Sequence, residues 1–355
     1  ERRSAAADLL MPAADSIDVG LRYVDARIDV RRIEARRTML APLLRGRAAD
    51  DAVDVIGHLY AVCIHAQRAA ARAAVAAARG HAVAPHTDVE ARGEAVGELC
   101  LAALAGESTA IAHETGRLVA AARRISRDRA AFASLVETRL LGGSAARWLA
   151  IDTPAELTTW ARSCTAPLAR ACAARIIARE PAPAGVAPLP LADAPATLDD
   201  RPMLDEAFAR TPTFRGEAAE AGPAARLATR PPIAALRERP LLQRWVARVT
   251  DLALYATGDP KFRCGRVSAV TAGPGRGRAA IETARGLLLH EVALDRERIA
   301  SYVIVAPTEW NFHPRGPLRH WLQGAAAESR MAARELAVRA AAALDPCADC
   351  RIEID

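Results

Sequence analysis

Lysine is almost absent from this sequence, and aromatic residues are scarce. Lys261 is the only lysine among 355 residues, and Phe, Trp and Tyr together make up 4% of the chain. Arginine supplies the rest of the basic charge, and the arginines are mixed with acids instead of forming a basic stripe. Proteins that bind nucleic acid usually carry such a stripe, or aromatic platforms on which bases stack. We therefore expect no nucleic-acid partner, although the formal net charge is +6.

The sequence also lacks long apolar runs and a disulfide-like pattern of cysteines. No stretch reaches the roughly 20 apolar residues that a helix needs to span a bilayer, and the N-terminal residues do not form a signal-peptide pattern. The 7 cysteines are an odd number, and they are spread from Cys63 to Cys350. Such a distribution is typical of reduced thiols. We therefore expect a cytoplasmic protein without membrane insertion.

Hydrophobic residues make up 51% of the chain and charged residues 25%, a balance typical of a folded globular protein with a large core. Apolar and polar residues alternate over 17–37, which predicts a β-hairpin with its turn at Asp25. A second β region, with a turn at Asp295, is predicted over 275–307. Helical spacing predicts helices over 50–80, 93–125, 127–141, 154–179, 232–258 and 325–343.

These patterns predict a mainly α fold with small β elements, of the α+β class. Residues 1–49 form an N-terminal β-hairpin region, and residues 50–180 form a helical core that contains Cys63. Residues 181–202 are rich in Pro and Ala and are interpreted as a linker. Residues 203–355 form a C-terminal helical and β region.

The chain closes with the sequence DPCADCRIEID, in which Cys347 and Cys350 are three residues apart. A lone C-x-x-C pair can be coincidental, or a surface pair with modest redox activity. A thioredoxin-type pair would follow a strand and begin a helix, whereas this pair follows a predicted helix. A structural zinc site usually needs a second C-x-x-C pair, and the sequence has none. The preceding Asp345 and Pro346 are the unusual feature.

The stretch DPCADC resembles the C-terminal D-P-C-x-x-C signature of nickel–iron hydrogenase large subunits. Four other stretches resemble landmarks of that family, and they occur in the family's order. They are LLRGRAADDAVDVIGHLYAVCIHAQRAA (43–70), which resembles a segment ending in R-I-C-G-V-C-x-x-A-H, EAGPAAR (220–226), which resembles V-G-P-L-A-R, ETARGLLLH (282–290), which resembles E-A-P-R-G-x-x-x-H, and VAPTEWN (305–311), which resembles V-P-T-T-W-N. The resemblance covers nearly the whole chain and implies a hydrogenase large-subunit-like helical bundle.

The resemblance also implies which residues would bind a metal. In the family, two C-x-x-C pairs hold nickel and iron, and the second cysteine of each pair bridges both metals. Here Tyr60 stands at the first N-terminal cysteine and Cys63 at the second, while Cys347 and Cys350 are both present. A neutral phenol is a poor ligand for nickel. The resemblance therefore implies a broken nickel site with the iron-bridging thiolates Cys63 and Cys350 retained, their sulfurs within about 4 Å of each other.

Residues that would surround the iron are matched as well. Arg285 matches the family arginine that donates to a cyanide ligand, and Pro307 and Thr308 match residues that line the other diatomic pocket. A cationic donor and a hydroxyl suit an anionic cyanide nitrogen in a dry pocket. Two family histidines are replaced, by Gln67 and by Glu353, the second next to the maturation cleavage site. We expect no long tail beyond Glu353 for a maturation protease to remove.

Several of these residues also have a plain structural explanation. Tyr60 and Cys63 could be core residues, since a free cysteine behaves as a small apolar side chain. Arg285 could be a structural ion-pair partner. The histidines and the remaining cysteines are interpreted as structural: His65, His290, His313, Cys100, Cys164, Cys172 and Cys264.

Taken together, the resemblance implies a non-catalytic assembly protein of the HupK/HoxV kind. Such a scaffold would receive an Fe(CN)2(CO) unit, without nickel, from a small maturation chaperone and iron-assembly protein. It would hold the unit transiently and pass it to the catalytic hydrogenase large subunit. Two alternatives stay open. A divergent catalytic large subunit of a nickel–iron uptake hydrogenase is disfavoured by Tyr60, and a metal-free structural subunit of the same fold is disfavoured by the three retained thiols.

Overall fold

The computed structural model describes residues 15–36, 41–60, 62–105, 112–182, 187–189 and 203–355. The helices there are α1 (Ala41–Leu44), α2 (Ala49–Leu59), α3 (Ile64–Ala78), α4 (Val89–Leu104), α5 (Ala112–Ile125), α6 (Arg129–Leu135), α7 (Ala145–Leu149), α8 (Pro154–Ser163), α9 (Pro167–Ile177), α10 (Glu206–Arg210), α11 (Pro223–Arg226), α12 (Pro231–Ala235), α13 (Pro240–Thr257), α14 (Pro307–Asn311), α15 (Pro317–Leu322) and α16 (Arg330–Ala343). A π-helical segment, Val136–Leu141, follows α6.

The strands of the described residues form three sheets. They are β1 (Ser16–Val24), β2 (Arg27–Arg36), β3 (His86–Thr87), β4 (Ala187–Pro188), β5 (Ala219–Glu220), β6 (Arg266–Thr271), β7 (Arg276–Thr283), β8 (Gly286–Asp295), β9 (Arg298–Val305) and β10 (Asp349–Ile354). The largest sheet is antiparallel, in the order β3-β6-β7-β8-β9. A second sheet has the order β10-β1-β2, and β4 pairs in parallel with β5. The predicted α+β class is confirmed, with more sheet than expected.

The predicted N-terminal hairpin is confirmed as β1 and β2. Asp25 and Ala26, which join the strands, both have positive φ, 50° and 58°. Two such residues give a turn whose twist matches that of the flanking strands. The chain also contains a strand that the sequence did not predict, because β10 pairs in parallel with β1 and places Cys350 opposite Ile17. The two ends of the chain therefore meet in one sheet.

Most of the long helices that the sequence predicts are interrupted in the structure, so the prediction of continuous helices is wrong for them. The helix predicted over 154–179 is α8 and α9, and the helix predicted over 232–258 is α12 and α13. Pro167 and Pro240 begin the second helix of each pair. A proline has no N–H to donate, so it fits the first turn of a helix and interrupts a helix interior. Residues 127–141 divide into α6 and the π-helical segment.

The strands predicted over 275–307 are confirmed as β7, β8 and β9, with β9 ending two residues earlier, at Val305. Strands β7 and β8 are buried along almost their whole length because the large sheet is covered on both faces. Helices α2 and α3 cover one face, and a smaller cluster that includes Phe208 and Trp310 covers the other. The predicted linker 181–202 lies largely outside the described residues. Its residues 187–189 are described, and β4 within them pairs with β5.

The backbones of helix α3 and strand β7 approach each other closely. The small alanine side chains of α3 and Gly277 of β7 allow this approach. A Cβ atom on Gly277 would lie 2.0 Å from the carbonyl oxygen of Ala74 and 2.3 Å from the amide nitrogen of Ala78. No side chain in the contact can move aside, because the atoms that clash belong to the helix backbone. The glycine therefore sets the distance between the helix and the sheet.

We expect the Gly277→Ala substitution to lower the free energy of unfolding by about 1–3 kcal/mol, because α3 must shift away from the sheet. Urea unfolding followed by circular dichroism measures this loss. Gly143→Ala is the matched control, since a Cβ there would contact nothing within 4 Å. A Gly277→Ala protein as stable as the control would contradict the close helix–sheet contact.

A helical core and a hairpin core complete the fold. The helical core is built from α4 to α9 with α12 and α13, and Phe132, Trp148 and Trp245 are among its buried aromatic residues. The hairpin core joins β1, β2 and β10 to α15 and α16. No helix of the described residues is both long and apolar enough to cross a membrane.

Candidate metal centre

Cys63 lies at a sharp break between two helices. The sequence predicted one helix over 50–80, and this prediction is wrong because the chain leaves α2 at Tyr60 and begins α3 after Cys63. Cys63 adopts the left-handed conformation, with φ 60° and ψ 35°. The Glu94 carboxylate of α4 accepts hydrogen bonds from the amides of His65 at 3.2 Å and Ala66 at 3.1 Å. These two donors have no partner within their own helix, so a carboxylate from another helix fixes the start of α3.

The C-terminal cysteines follow a second constrained turn. Helix α16 ends at Ala343, and Asp345 has a positive φ of 50°. The guanidinium of the buried Arg248 donates to the carbonyl oxygen of Ala343. Beyond this turn, the sulfur of Cys347 lies 2.9 Å from the hydroxyl oxygen of the buried Thr308. The turn therefore aims Cys347 at the residues that line the expected diatomic pocket.

Arg285 connects the two cysteine segments. One of its terminal nitrogens donates to the sulfur of Cys63 at 3.6 Å, and its Nε donates to the carbonyl oxygen of Asp345 at 3.1 Å. The other terminal nitrogen binds the Glu98 carboxylate at 3.1 Å. Burial opposes its charge, but the carboxylates of Asp345 and Glu98 and the neighbouring sulfur of Cys63 raise the pKa of Arg285 above its ordinary value. The guanidinium is thus a fixed cation beside the Cys63 thiol.

The buried surroundings of the Cys63 thiol disfavour its charged thiolate form. Burial raises the pKa of Cys63 to about 12, and Arg285 only partly offsets this effect. The carboxylates of Glu94 and Glu98 and the neighbouring sulfur of Cys347 raise the pKa further. Without a metal, the thiol is therefore protonated at neutral pH. A metal that binds the sulfur must displace that proton.

Cys350 has different surroundings. It lies in β10, where Cys350 and Ile352 pack against the hairpin core. Burial raises the pKa of Cys350 to about 11, with a smaller contribution from Asp18. Cys63 and Cys347 both lie near enough to Arg285 to raise its pKa. The two thiols thus share Arg285 as a neighbour, whereas Cys350 packs against the hairpin core.

No group of three or more His, Cys, Asp or Glu side chains in the described ranges is arranged to hold a metal ion. What the structure does bring together is two thiols, a buried guanidinium and a buried hydroxyl. Thiolates are soft ligands that bind soft metals. The guanidinium and the hydroxyl can donate hydrogen bonds to anionic ligands of such a metal. The arrangement is chemically suited to a metal unit that brings most of its own ligands.

The other predicted positions have structural surroundings. Tyr60 is half-buried and packs against the cluster of α2, α3 and the large sheet. Pro307 is buried and begins α14, so it fixes the turn that presents Thr308. Glu353 is exposed on β10, with its carboxylate 3.9 Å from the Arg32 guanidinium. None of Tyr60, Pro307 and Glu353 presents a thiolate or imidazole to the site.

Gln67, which stands at a family histidine position, lies in a buried polar chain. Its amide oxygen lies 2.8 Å from Nε2 of His290, and Nδ1 of His290 lies 2.8 Å from the hydroxyl of Tyr302. Because the amide oxygen can only accept, Nε2 carries the proton and Nδ1 accepts from Tyr302. Burial lowers the pKa of His290 to about 3. The prediction that His290 is structural agrees with these contacts.

We expect His290 to make stability depend on pH. Its pKa is about 3 in the folded protein, below the ordinary value of about 6.5, so the unfolded chain binds the proton first as pH falls. The stabilisation is present above pH 6.5 and is lost towards pH 3, with a loss of about 2 kcal/mol between pH 7.5 and pH 5. Urea unfolding at both pH values, compared with a His290→Gln variant, measures it. An identical pH dependence in the two proteins would contradict the assignment.

The loop that carries Arg285 is held by two other landmark stretches. Gly222 has a φ of 117°, and a Cβ there would lie 2.9 Å from the carbonyl oxygen of Arg285. A Cβ on Gly286, whose φ is 128°, would lie 2.5 Å from the amide nitrogen of Gly222. The side-chain oxygen of Asn311 accepts from the amide of Ala221 at 2.8 Å. The landmarks at 220–226, 282–290 and 305–311 therefore form one packed unit beneath the site.

Three residues of the site were missed by the sequence interpretation. Glu94 and Glu98 are four residues apart on α4 and so share a face, which is the only signal that the sequence gives of their joint role. Glu98 also binds Arg123 at 2.7 Å, so its carboxylate bridges two arginines. Arg248 lies in a helix of ordinary composition and gives no local signal. The cysteines interpreted as structural are buried or half-buried: Cys100, Cys164, Cys172 and Cys264.

Comparison with known proteins gives consistent matches. The family model described as nickel-dependent hydrogenase matches residues 266–353. The chain is 30% identical to the hydrogenase expression/formation protein HupK of Bradyrhizobium diazoefficiens, over 94% of this chain and 95% of that protein. It is also 30% identical to the hydrogenase expression/formation protein HoxV of Cupriavidus necator, over 90% of this chain and 92% of that protein.

Solved structures with a similar fold are hydrogenases. The Ni-Fe-Se hydrogenase of D. vulgaris Hildenborough gives a TM-score of 0.53 at 16% identity, covering 91% of this chain and 94% of that chain. An NAD+-reducing NiFe hydrogenase in the H2-reduced state gives a TM-score of 0.54 at 16% identity, covering 91% and 93%. At such low identity, these similarities concern the fold alone. They confirm the predicted large-subunit-like architecture.

Proposed function

This chain belongs to the nickel-dependent hydrogenase family, among the HupK/HoxV expression/formation proteins, and on that premise we propose that it is a non-catalytic maturation scaffold. Its cargo is an iron atom with cyanide and carbon monoxide ligands, the Fe(CN)2(CO) unit. The scaffold holds this unit transiently during assembly of a nickel–iron active site. It then passes the unit to the catalytic large subunit.

One observation carries the proposal: Arg285 and Thr308 each contact a different cysteine. Arg285 donates to the sulfur of Cys63, and the hydroxyl of Thr308 lies 2.9 Å from the sulfur of Cys347. Two thiolates are soft ligands suited to low-spin iron. The guanidinium and hydroxyl are the donors that cyanide nitrogens need in a buried pocket. The unit brings its own diatomic ligands, so it needs few protein ligands.

Nickel is not part of this proposal. Tyr60 stands where the family has its first N-terminal cysteine, and its side chain packs against the core of α2, α3 and the large sheet. A four-thiolate binuclear site therefore cannot be assembled from this chain. Cys350, the other position that matches a bridging ligand, is half-buried and packs against the hairpin core, and we include it as a third candidate ligand of the unit.

The proposed partners follow from the cargo. A small hydrogenase-maturation chaperone and an iron-assembly protein would donate the unit in the cytoplasm, and the catalytic large subunit would accept it. Support comes from the relatives, which are named hydrogenase expression/formation proteins. A metal-free or nickel-containing role would require different partners.

Infrared spectroscopy with parallel iron and nickel analysis tests the function. The protein is purified anaerobically from a host that makes hydrogenase. We expect cyanide and carbonyl stretching bands together with iron and without nickel. Bands with both metals would instead indicate a catalytic subunit. Absence of bands and metals, in a host whose own hydrogenase matures normally, would indicate a structural role.

A further inference from the structure

A pocket with a volume of about 260 Å³ has none of Cys63, Cys347 and Cys350 in its lining. It is formed where the start of α4, the end of α13 and the start of β6 approach each other. None of its lining residues belongs to the candidate metal centre or to the five landmark stretches of the sequence. The pocket therefore has no part in the proposed handling of iron.

Three arginines and one acidic residue are among the residues that line this pocket. They are Arg92, Arg129 and Arg266, and the acidic residue is Asp259. In the parts of the chain that the structure describes, no carboxylate lies within ion-pair distance of any of the three guanidinium groups. Elsewhere in the described part of the chain, many arginines form ion pairs with acidic residues. This cluster therefore has an excess of positive charge at a concave surface, which favours an anionic ligand.

Two of these arginines are held in place by backbone and hydroxyl acceptors. Arg92 donates from Nε to the carbonyl oxygen of Cys264 at 3.3 Å and from a terminal nitrogen to the hydroxyl of Thr87 at 3.1 Å. Arg129 donates to the carbonyl oxygen of Ala256 at 3.3 Å. These contacts use neutral acceptors, so they orient the guanidinium groups without neutralising them. A preoriented guanidinium loses less conformational entropy when it binds an oxyanion.

Part of the pocket lining is apolar or aromatic. It consists of Leu254, Tyr255, Pro260 and Phe262, and the rings of Tyr255 and Phe262 lie 5.1 Å apart. The guanidinium of Arg92 lies 5.8 Å from the centre of the Phe262 ring. Small-molecule pockets commonly combine an apolar wall with a few placed polar groups. This one combines an apolar wall with three cations.

We propose that this pocket binds a small organic oxyanion, with a phosphate or carboxylate group on the arginines and an apolar or aromatic body against Tyr255 and Phe262. The arginine fork matches the two oxygens of either group. The volume suits a small molecule. The proposal is independent of the cysteine site and holds whether or not the chain carries iron.

Isothermal titration calorimetry of the full-length chain with phenyl phosphate tests the proposal, at low and constant chloride. We expect binding with a Kd of about 1 mM or tighter. Arg129→Gln and Arg266→Gln should each weaken it about tenfold, since each removes a charge-assisted hydrogen bond. Arg162→Gln is the matched control, because Arg162 is an exposed arginine on α8 that does not line the pocket. It should bind like the parent protein.

Further ligands define the class. Benzoate in place of phenyl phosphate distinguishes a carboxylate from a phosphate preference, and binding of either supports the proposal. Inorganic phosphate should bind more weakly than phenyl phosphate, because it lacks the apolar body. The proposal is overturned if the parent protein binds neither organic anion. It is also overturned if the Arg129→Gln/Arg266→Gln double variant, folded by circular dichroism, binds as the parent does, or if Arg162→Gln weakens binding equally.

Discussion

Replacing Cys63 or Cys347 by serine is expected to remove the cyanide and carbonyl infrared bands and to lower bound iron at least about tenfold. Serine is a harder and poorer ligand for a soft metal than a thiolate. Both sulfurs contact donors of the same site, Arg285 for Cys63 and Thr308 for Cys347. Infrared spectra and iron analysis of anaerobically purified variants measure the loss, and maturation of the host hydrogenase gives a second readout.

Cys164→Ser is the matched control for these variants. Cys164 is half-buried, and its thiol donates to the carbonyl oxygen of Leu141 at 3.4 Å, which a serine hydroxyl can also do. Iron content should be unchanged. Full iron and unchanged bands in both Cys63→Ser and Cys347→Ser would contradict the proposed site. A Cys350→Ser variant that keeps its iron would identify a two-thiolate site, and one that loses it would identify Cys350 as a third ligand.

Replacing Arg226 by leucine is expected to destabilise the protein by about 3–5 kcal/mol. Arg226 is buried, and its guanidinium binds the Asp251 carboxylate at 2.9 Å through Nε and the Glu282 carboxylate at 3.3 Å. It also donates to the carbonyl oxygen of Thr283 at 3.1 Å. Removing the cation leaves two buried carboxylates without their partner, which costs more than the lost attraction alone.

The same substitution should disturb the metal centre, because Thr283 belongs to the segment that leads into Arg285. Urea unfolding measures the stability, and infrared bands of the remaining folded protein report on the site. Arg162→Leu is the control, since an exposed arginine should change stability by less than about 0.5 kcal/mol. A loss of less than about 1 kcal/mol in Arg226→Leu would show that the buried network contributes little.

Much of the fold was predictable because its signals are local. The hairpin β1–β2 and the strands β7 to β9 follow from alternation of apolar and polar residues within a few positions. The resemblance of five short stretches identified the large-subunit-like architecture and drew attention to Cys63, Arg285, Thr308 and Cys347. The structure places Arg285 in contact with Cys63 and Thr308 in contact with Cys347. Each of these features is carried by residues close together in the chain.

The features that were mispredicted depend on residues far apart in sequence. The break before α3 is fixed by Glu94, a carboxylate on the next helix, so the helical periodicity of 50–80 gives no sign of it. Strand β10 forms because residues 349–354 pair with the edge of β1, which is more than 300 residues away in the sequence. That pairing turns Cys350 towards the hairpin core.

The sequence by itself determined the fold class, the family and the residue types available for chemistry, because periodicity and short motifs are properties of neighbouring residues. The tertiary structure alone decided which thiols lie beside Arg285 and Thr308, how Glu98 and Arg248 support the site, and that three arginines share one pocket. Those outcomes depend on which surfaces pack together. Packing is set by the sum of many weak contacts between distant segments, and no single stretch of sequence encodes that sum.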